Sequence, residues 1–205
     1  GNYQTFKDMQ VKLDSEKIVE NKGDFYSTST CNGWSKAVSV NFEYYNYNNE
    51  QDKGISYYAG LLSQVINTVK SCTGSSKVTL IAHSMGGLIS REYMRNYGDA
   101  SVNKLIMLET PNYGSPFASI PSSSDAKLMI PGSSFLTTLN GNKKECSYRS
   151  KMVNIASRTL LEGFFDDGVE KQASGDVCKG QPPMSVIAPV VSTRLNKAQN
   201  IEVSG

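Results

Sequence analysis

The sequence of 205 residues has one histidine, His83, and no apolar run near the roughly 20 residues that a transmembrane helix needs. Its net charge of +2 comes from interspersed acidic and basic residues, so no basic patch predicts nucleic-acid binding. None of the four cysteines forms a CxxC pair, and with one histidine a structural zinc site is not expected. No acidic cluster favours calcium. We therefore expect neither a metal nor a cofactor.

The four cysteines lie in polar, turn-like contexts at Cys31, Cys72, Cys146 and Cys178. Free cysteines that are buried occur more often in apolar runs, so this pattern favours two disulfides and a secreted protein. Of the three pairings that four cysteines allow, we favour Cys31–Cys72 with Cys146–Cys178. The alternative is four reduced thiols in a cytosolic protein.

Helical and strand patterns alternate along the chain. Apolar residues recur at helical spacing in three segments, at 6–13, at 55–69 with Gly74 as a stop, and at 85–97 with Gly98 as a stop. Strands are predicted at 37–42, 77–82, 104–109, 152–157 and 200–204. Strands separated by helices of this length predict parallel pairing through right-handed crossovers, and hence an α/β fold with helices on both faces of a mostly parallel sheet.

The chain has no internal repeat and no linker, so we expect a single domain over residues 1–205. One segment, 113–150, is rich in Ser, Gly and Pro around a short apolar stretch. It is expected to form a lid or an excursion over the site; the alternative is a surface helix with loops.

A candidate nucleophile lies in the sequence AHSMGG, between a predicted strand and a predicted helix. Such a turn must be tight to expose the hydroxyl of Ser84, so the residues two before and two after it, Ala82 and Gly86, must be small. Gly87 then permits close packing of the helix. The N–H of Met85, at the helix N-terminus, is placed to donate to an oxyanion. A helix-capping serine is the alternative.

The AHSMGG sequence resembles the α/β-hydrolase lipases, notably the small secreted ones of bacterial type. The segments LETPNYGSP (108–116), DAKLMIPGSSFLTTLN (125–140) and STRLNKAQNIEVSG (192–205) also resemble family segments. The resemblance covers most of the chain in order and is patchy between 141 and 185. It implies an α/β-hydrolase fold and carboxylic ester hydrolysis through an acyl-enzyme on Ser84, without a cofactor.

His83 directly precedes the serine, and adjacent side chains on a tight turn diverge, so we do not expect it to be the general base. The resemblance implies that the base is a histidine on a later loop, beyond Gly205. It also implies that a strand and an HG loop, which supply the second oxyanion N–H, come before Gly1. We therefore expect a fragment of a longer hydrolase, inactive by itself. The alternative is a complete chain that has lost catalysis and become a binding protein.

The acid that orients the histidine should follow the strand predicted at 152–157. The DDGVE segment (166–170) resembles the DGVV segment of the family, with Asp167 in the acid position. An ungapped count back from 192–205 instead places Ser185 there, which cannot act as the acid. Asp167 is therefore the first candidate, Asp176 the second and Asp166 the third; solvated loop carboxylates are the alternative.

The expected substrate is a lipid or a small ester, with transient contact to a lipid interface. An acyltransferase or thioesterase that uses the same triad is the alternative within the same class. A catalytically inactive binding protein is the alternative outside it.

Overall fold

The computed structural model describes residues 6–35, 37–43, 51–119, 123–158, 177 and 199–204. Its helices are Lys7–Ser15 (α1), Ile55–Thr73 (α2), Met85–Tyr97 (α3), Ser124–Leu128 (α4), Ser134–Asn140 (α5) and Glu145–Tyr148 (α6). Its strands are Glu20–Asp24 (β1), Val38–Asn41 (β2), Val78–His83 (β3), Val102–Leu108 (β4), Met152–Arg158 (β5) and Gln199–Ser204 (β6). Short 3-10 turns occupy Pro116–Ser119 and Arg149–Lys151.

Every described strand pair is parallel, as the alternation of helices and strands predicts. Four strands form one sheet in the order β3-β4-β5-β6, and β1 pairs with β2 in a separate sheet of two. In the larger sheet His83 pairs with Leu108, and Leu108 pairs with Ile155. The strands therefore end side by side at one edge, called the carboxyl edge below, where ligands bind in open α/β sheets.

The helices α2 and α3 cover the sheet because each has an apolar face of helical periodicity. Tyr58 of α2 and Leu88 of α3 are fully buried with Leu105 and Met107 of β4 in one core cluster. Gly74 ends α2 in the left-handed conformation, with φ of 65°. None of the helices in the described ranges is long and apolar enough to cross a bilayer.

Two parts of the fold differ from the sequence-based expectation. The strand β1, of sequence ENKGD, has no apolar alternation that could have predicted it. The segment 123–150 forms three short helices, and Leu136, Leu139 and Tyr148 of these helices enter the main core cluster. These parts of the segment belong to the body of the fold, and its role as a lid stays a prediction.

The disulfide Cys31–Cys72 is present, with 5.8 Å between its Cα atoms, which confirms the first predicted pairing. It attaches the loop that follows β1 to the last turn of α2, beside a small cluster that contains Phe25 and Trp34. Cys146 is also disulfide-bonded, while its predicted partner, Cys178, lies outside the described residues.

Candidate active site

Ser84 lies on the turn between β3 and α3, at the carboxyl edge of the sheet. Its φ of 52° and ψ of −126° fall where side chains with a Cβ are rarely found. Such a backbone costs about 1–3 kcal/mol and persists only where the surroundings impose it. Here the Ser84 N–H donates to the Leu108 carbonyl at 2.9 Å, and the Ser84 carbonyl accepts from the Gly87 N–H at 3.1 Å. The strained turn thus connects the sheet directly to the first turn of α3.

Of the small residues around Ser84, the packing of the turn requires Gly87, while a Cβ at Gly86 would make an ordinary contact. A Cβ built on Gly86 would lie 3.7 Å from the Cβ of Ala82, so the two positions approach closely, as predicted. A Cβ built on Gly87 would lie 2.1 Å from Oγ1 of Thr110, which is far inside contact distance. Gly87 therefore lets the first turn of α3 pack against the residues that follow β4.

Met85 is the first residue of α3, directly after Ser84. The N–H groups of a first helical turn have no acceptor within the helix, and the helix dipole makes this end favourable for negative charge. The Met85 side chain packs against the main core cluster, which fixes its backbone. The Met85 N–H thus directly follows the serine, at a helix end that favours negative charge, and its oxyanion role stays a prediction.

His83 is the last residue of β3 and is half-buried. In the described part of the structure no hydrogen bond joins it to Ser84, and its Nδ1 is buried without a hydrogen-bond partner. Burial lowers the pKa of His83 below its ordinary value, an effect that the carboxylate of Glu109 opposes. His83 is therefore a neutral neighbour of the serine at pH 7.

Glu109 is the residue directly after β4, beside Ser84 at the carboxyl edge. It too has a positive φ, of 50°, and its side chain is exposed. Its N–H donates to the Ile155 carbonyl at 3.0 Å, which extends the pairing of β4 with β5 by one residue. Two strained residues that are not glycine thus lie next to each other on neighbouring strands. The residues around Ser84 predict its turn, whereas no sequence pattern predicts a role for Glu109.

The candidate acids Asp167, Asp176 and Asp166 lie outside the described residues, so their roles stay predictions. Within the described ranges no group of three or more His, Cys, Asp or Glu side chains is arranged to hold a metal ion.

A buried ionic network, centred on Arg91, supports the turn after β4. Arg91 and Glu145 are both fully buried, and Arg91 donates to Glu145 through Nε at 3.2 Å and through one terminal nitrogen at 2.9 Å. Arg91 also donates to Oδ1 of Asn112 at 3.1 Å and to Oδ1 of Asn140 at 2.9 Å. Arg149 donates to the same carboxylate at 2.8 Å. The network joins α3 to α5, to α6 and to the turn that packs on Gly87.

Asp125 of α4 forms hydrogen bonds with the beginning of α2 and the residues just before it. Its carboxylate accepts from the Gly54 N–H at 2.8 Å, from the Asp52 N–H at 3.1 Å and from the Tyr58 hydroxyl at 2.6 Å. Because Gly54 is the N-cap of α2, these hydrogen bonds hold the backbone that leads into the helix. Burial and the hydrogen bond from its hydroxyl to Asp125 raise the pKa of Tyr58 above its ordinary value. Local sequence patterns do not predict the hydrogen bonds of Asp125, because its partners are 67 to 73 residues away along the chain.

The family model of the alpha/beta hydrolase fold matches residues 32–145, which include the Ser84 turn and the buried network except Arg149. The chain belongs to the alpha/beta hydrolase fold family. The matched range is more than half of the chain, and the four-stranded parallel sheet agrees with it. The predicted fold and the predicted lipase-like resemblance are confirmed.

Solved structures with the same fold include bacterial lipases. The lipase BlEst2 of Bacillus licheniformis in mature form superposes with a TM-score of 0.57 at 14% identity, over 100% of this chain and 79% of that chain. The propeptide form of that lipase superposes with a TM-score of 0.52 at 16% identity, over 81% of this chain and 37% of that chain. The phospholipase PlaB of Legionella pneumophila in complex with thio-NAD superposes with a TM-score of 0.56 at 15% identity, over 86% of this chain and 41% of that chain. The chain thus spans well under half the length of two of these three structures.

No curated protein has a significant sequence match to this chain. At these low identities the solved structures show the fold alone, which agrees with the family model.

Proposed function

We propose that the protein is a carboxylic ester hydrolase of the lipase or esterase type, with Ser84 as its nucleophile. The observation that carries the proposal is the strained backbone of Ser84 between β3 and α3. A helix-capping serine adopts extended dihedral angles and accepts a hydrogen bond from the first helical turn, whereas Ser84 has positive φ and makes no such bond. The strain exposes the hydroxyl at the carboxyl edge, where substrates bind in α/β folds.

In the proposed reaction, Oγ of Ser84 attacks the ester carbonyl carbon while a histidine takes the hydroxyl proton. The Met85 N–H, with a second N–H from an upstream segment, stabilises the oxyanion. The histidine then gives the proton to the departing alcohol, which leaves an acyl-enzyme on Ser84. Water hydrolyses the acyl-enzyme by the same relay in reverse roles, and no cofactor takes part.

The general base of this relay is a histidine outside the 205 residues. His83 does not fit the role, because it makes no hydrogen bond to Ser84 in the described structure and directly precedes it as the last residue of β3. The second oxyanion donor is assigned to an upstream strand. In support, β3 has a strand partner on one side only in the described sheet, so the strand that carries the nucleophile has room for another neighbour. The protein that contains these residues together with their flanking segments is called the extended protein below.

For the carboxylate that orients the histidine, the sequence pattern ranks Asp167 first, Asp176 second and Asp166 third. The expected substrate is a lipid or a small ester, in keeping with the lipase and phospholipase among the structural neighbours. Residues 1–205 belong to one domain, in which part of 113–150 covers the substrate.

Secretion is proposed from the cysteines, because disulfides persist in oxidising compartments. The Cys31–Cys72 bond is present, and Cys146 is also disulfide-bonded. Thiol titration of the denatured, unreduced protein is expected to find no free thiol. Four titratable thiols per chain would contradict both disulfides and the secretion that is inferred from them.

The substitution His83→Gln in the extended protein is expected to leave most of the hydrolysis of p-nitrophenyl esters intact, because the proton relay runs through another histidine. The 205 residues alone are expected to hydrolyse these esters at close to the background rate. Steady-state kinetics on both proteins make the test. If the 205 residues turn over the ester at an enzyme-like rate and His83→Gln removes that activity, His83 is the base and the proposed relay is wrong.

A further inference from the structure

Glu109 has a backbone that a glutamate adopts only at a cost. Glycine takes a positive φ freely, and Asn or Asp takes it more readily than other side chains, whereas Glu109 has a φ of 50°. A strained residue that is kept at the carboxyl edge, beside a second strained residue, suggests a functional reason for the strain.

The position of Glu109 relative to Ser84 follows from the strand register. Leu108 pairs with His83, so the next residues along each strand, Glu109 and Ser84, are neighbours across two strand ends that lie roughly 5 Å apart. Hydrogen bonds fix both sides of this position: the Leu108 carbonyl accepts from the Ser84 N–H, and the Glu109 N–H donates to Ile155. The backbone from which the carboxylate extends is therefore held rigidly with respect to the nucleophile.

The charge of Glu109 acts on its surroundings. Burial lowers the pKa of His83 on the adjacent strand, and the carboxylate of Glu109 opposes this lowering. In a serine hydrolase, an imidazole that binds the serine hydroxyl through one nitrogen needs a carboxylate on its other nitrogen. A glutamate one strand away from the nucleophile can span the remaining distance, because an imidazole separates the two groups in such a relay.

We propose that Glu109 is a positioning residue for the general base of Ser84: its carboxylate orients the catalytic histidine and stabilises the imidazolium. This inference rests on the proposed function and replaces Asp167 in that role. In the step concerned, the Ser84 proton moves to the histidine as the bond between Oγ and the acyl carbon forms and the carbonyl oxygen becomes an oxyanion. The oxyanion then collapses, the ester C–O bond breaks, and the histidine gives the proton to the departing alcohol, while Glu109 takes up no proton in the transfer.

The test uses Glu109→Gln, Glu109→Asp and Glu109→Gly in the extended protein, with Ser84→Ala and Asp167→Asn as reference variants. Glu109→Gln is expected to lower kcat by about 10⁴-fold, the loss that follows when a triad histidine is no longer oriented. The remaining kcat/KM of this variant should fall on the acidic side at a lower pH than that of the unsubstituted protein. The reason is that loss of the carboxylate lowers the pKa of the base. Glu109→Asp keeps the charge and should retain that limb near its original pH.

Glu109→Gly separates a functional role from a structural one. It is expected to lose activity as Glu109→Gln does, yet to raise Tm by about 2–4 °C because the backbone strain is relieved. The exposed glutamate Glu16, directly after α1, is the control, and Glu16→Gln should leave the activity unchanged and lower Tm by no more than about 1–2 °C. A fall in Tm that accompanies the lost activity would mean that Glu109 serves the fold alone, and would overturn the inference.

The same variants distinguish failure of the inference on Glu109 from failure of the proposed function. If Ser84→Ala abolishes activity, Asp167→Asn is equally damaging and Glu109→Gln is near wild type, the inference on Glu109 is overturned while Ser84 remains the nucleophile. If Ser84→Ala keeps wild-type activity, the proposed function itself is wrong, and the role of Glu109 is excluded with it.

Discussion

Replacing Ser84 with alanine in the extended protein is expected to lower kcat for ester hydrolysis by roughly 10⁶-fold, the loss that follows when a serine hydrolase loses its nucleophile. The substitution removes one oxygen and leaves the backbone of the strained turn in place, so Tm should change little. Hydrolysis of a p-nitrophenyl ester, followed with a thermal melt, gives both quantities.

Ser90 provides a matched control for this substitution. It lies on α3, six residues after Ser84, and is buried. Its hydroxyl donates to the Gly86 carbonyl at 2.9 Å, so its hydrogen bond is purely local. Ser90→Ala is expected to keep hydrolysis within a few-fold of wild type. Equal losses in both variants would mean that the first turn of α3, rather than the Ser84 hydroxyl, is what the reaction needs.

Replacing Glu145 with glutamine is expected to lower the free energy of unfolding by about 3–5 kcal/mol, because it leaves two buried guanidinium groups without their carboxylate. The side chains of Arg91, Arg149 and Glu145 are all fully buried, so solvent cannot compensate. Equilibrium denaturation in urea, at constant m-value, measures the loss.

The exposed pair Lys12–Glu16 on α1 is the control for Glu145. Its nitrogen–oxygen distance is 2.8 Å, like the buried pair, but its side chains are 72% and 47% exposed. Glu16→Gln should therefore cost no more than about 0.5 kcal/mol. If Glu145→Gln costs as little as Glu16→Gln, the buried network does not stabilise the fold as described.

Local sequence patterns predicted most of the elements because each element has its own periodicity. The apolar spacing from Ile55 to Val69 and the stop at Gly74 correspond to α2, and the short apolar segment before Ser84 corresponds to β3. The strained turn was also predictable, since small residues at Ala82, Gly86 and Gly87 have no other common reason to surround a serine between a strand and a helix.

The contacts that support the site could not be read from local patterns. Arg91 binds a carboxylate 54 residues away, and nothing near either residue specifies the pairing. The only signal is a charged residue within the apolar periodicity of α3, close to Leu88 and Ile89 on the buried side. Glu109 was missed for a related reason: its positive φ comes from how β4 ends against β3 and β5, and a glutamate does not predict such a turn.

The chemical reactivity of Ser84 is the property that decides whether it is the nucleophile. The extended protein should be treated with a fluorophosphonate, digested, and mapped by mass spectrometry, with heat-denatured protein as the control. The expected result is a single adduct on the peptide that contains Ser84, formed by the folded protein only. An adduct on a different residue, or no adduct on folded extended protein that hydrolyses esters, would contradict the assignment of Ser84 as the nucleophile.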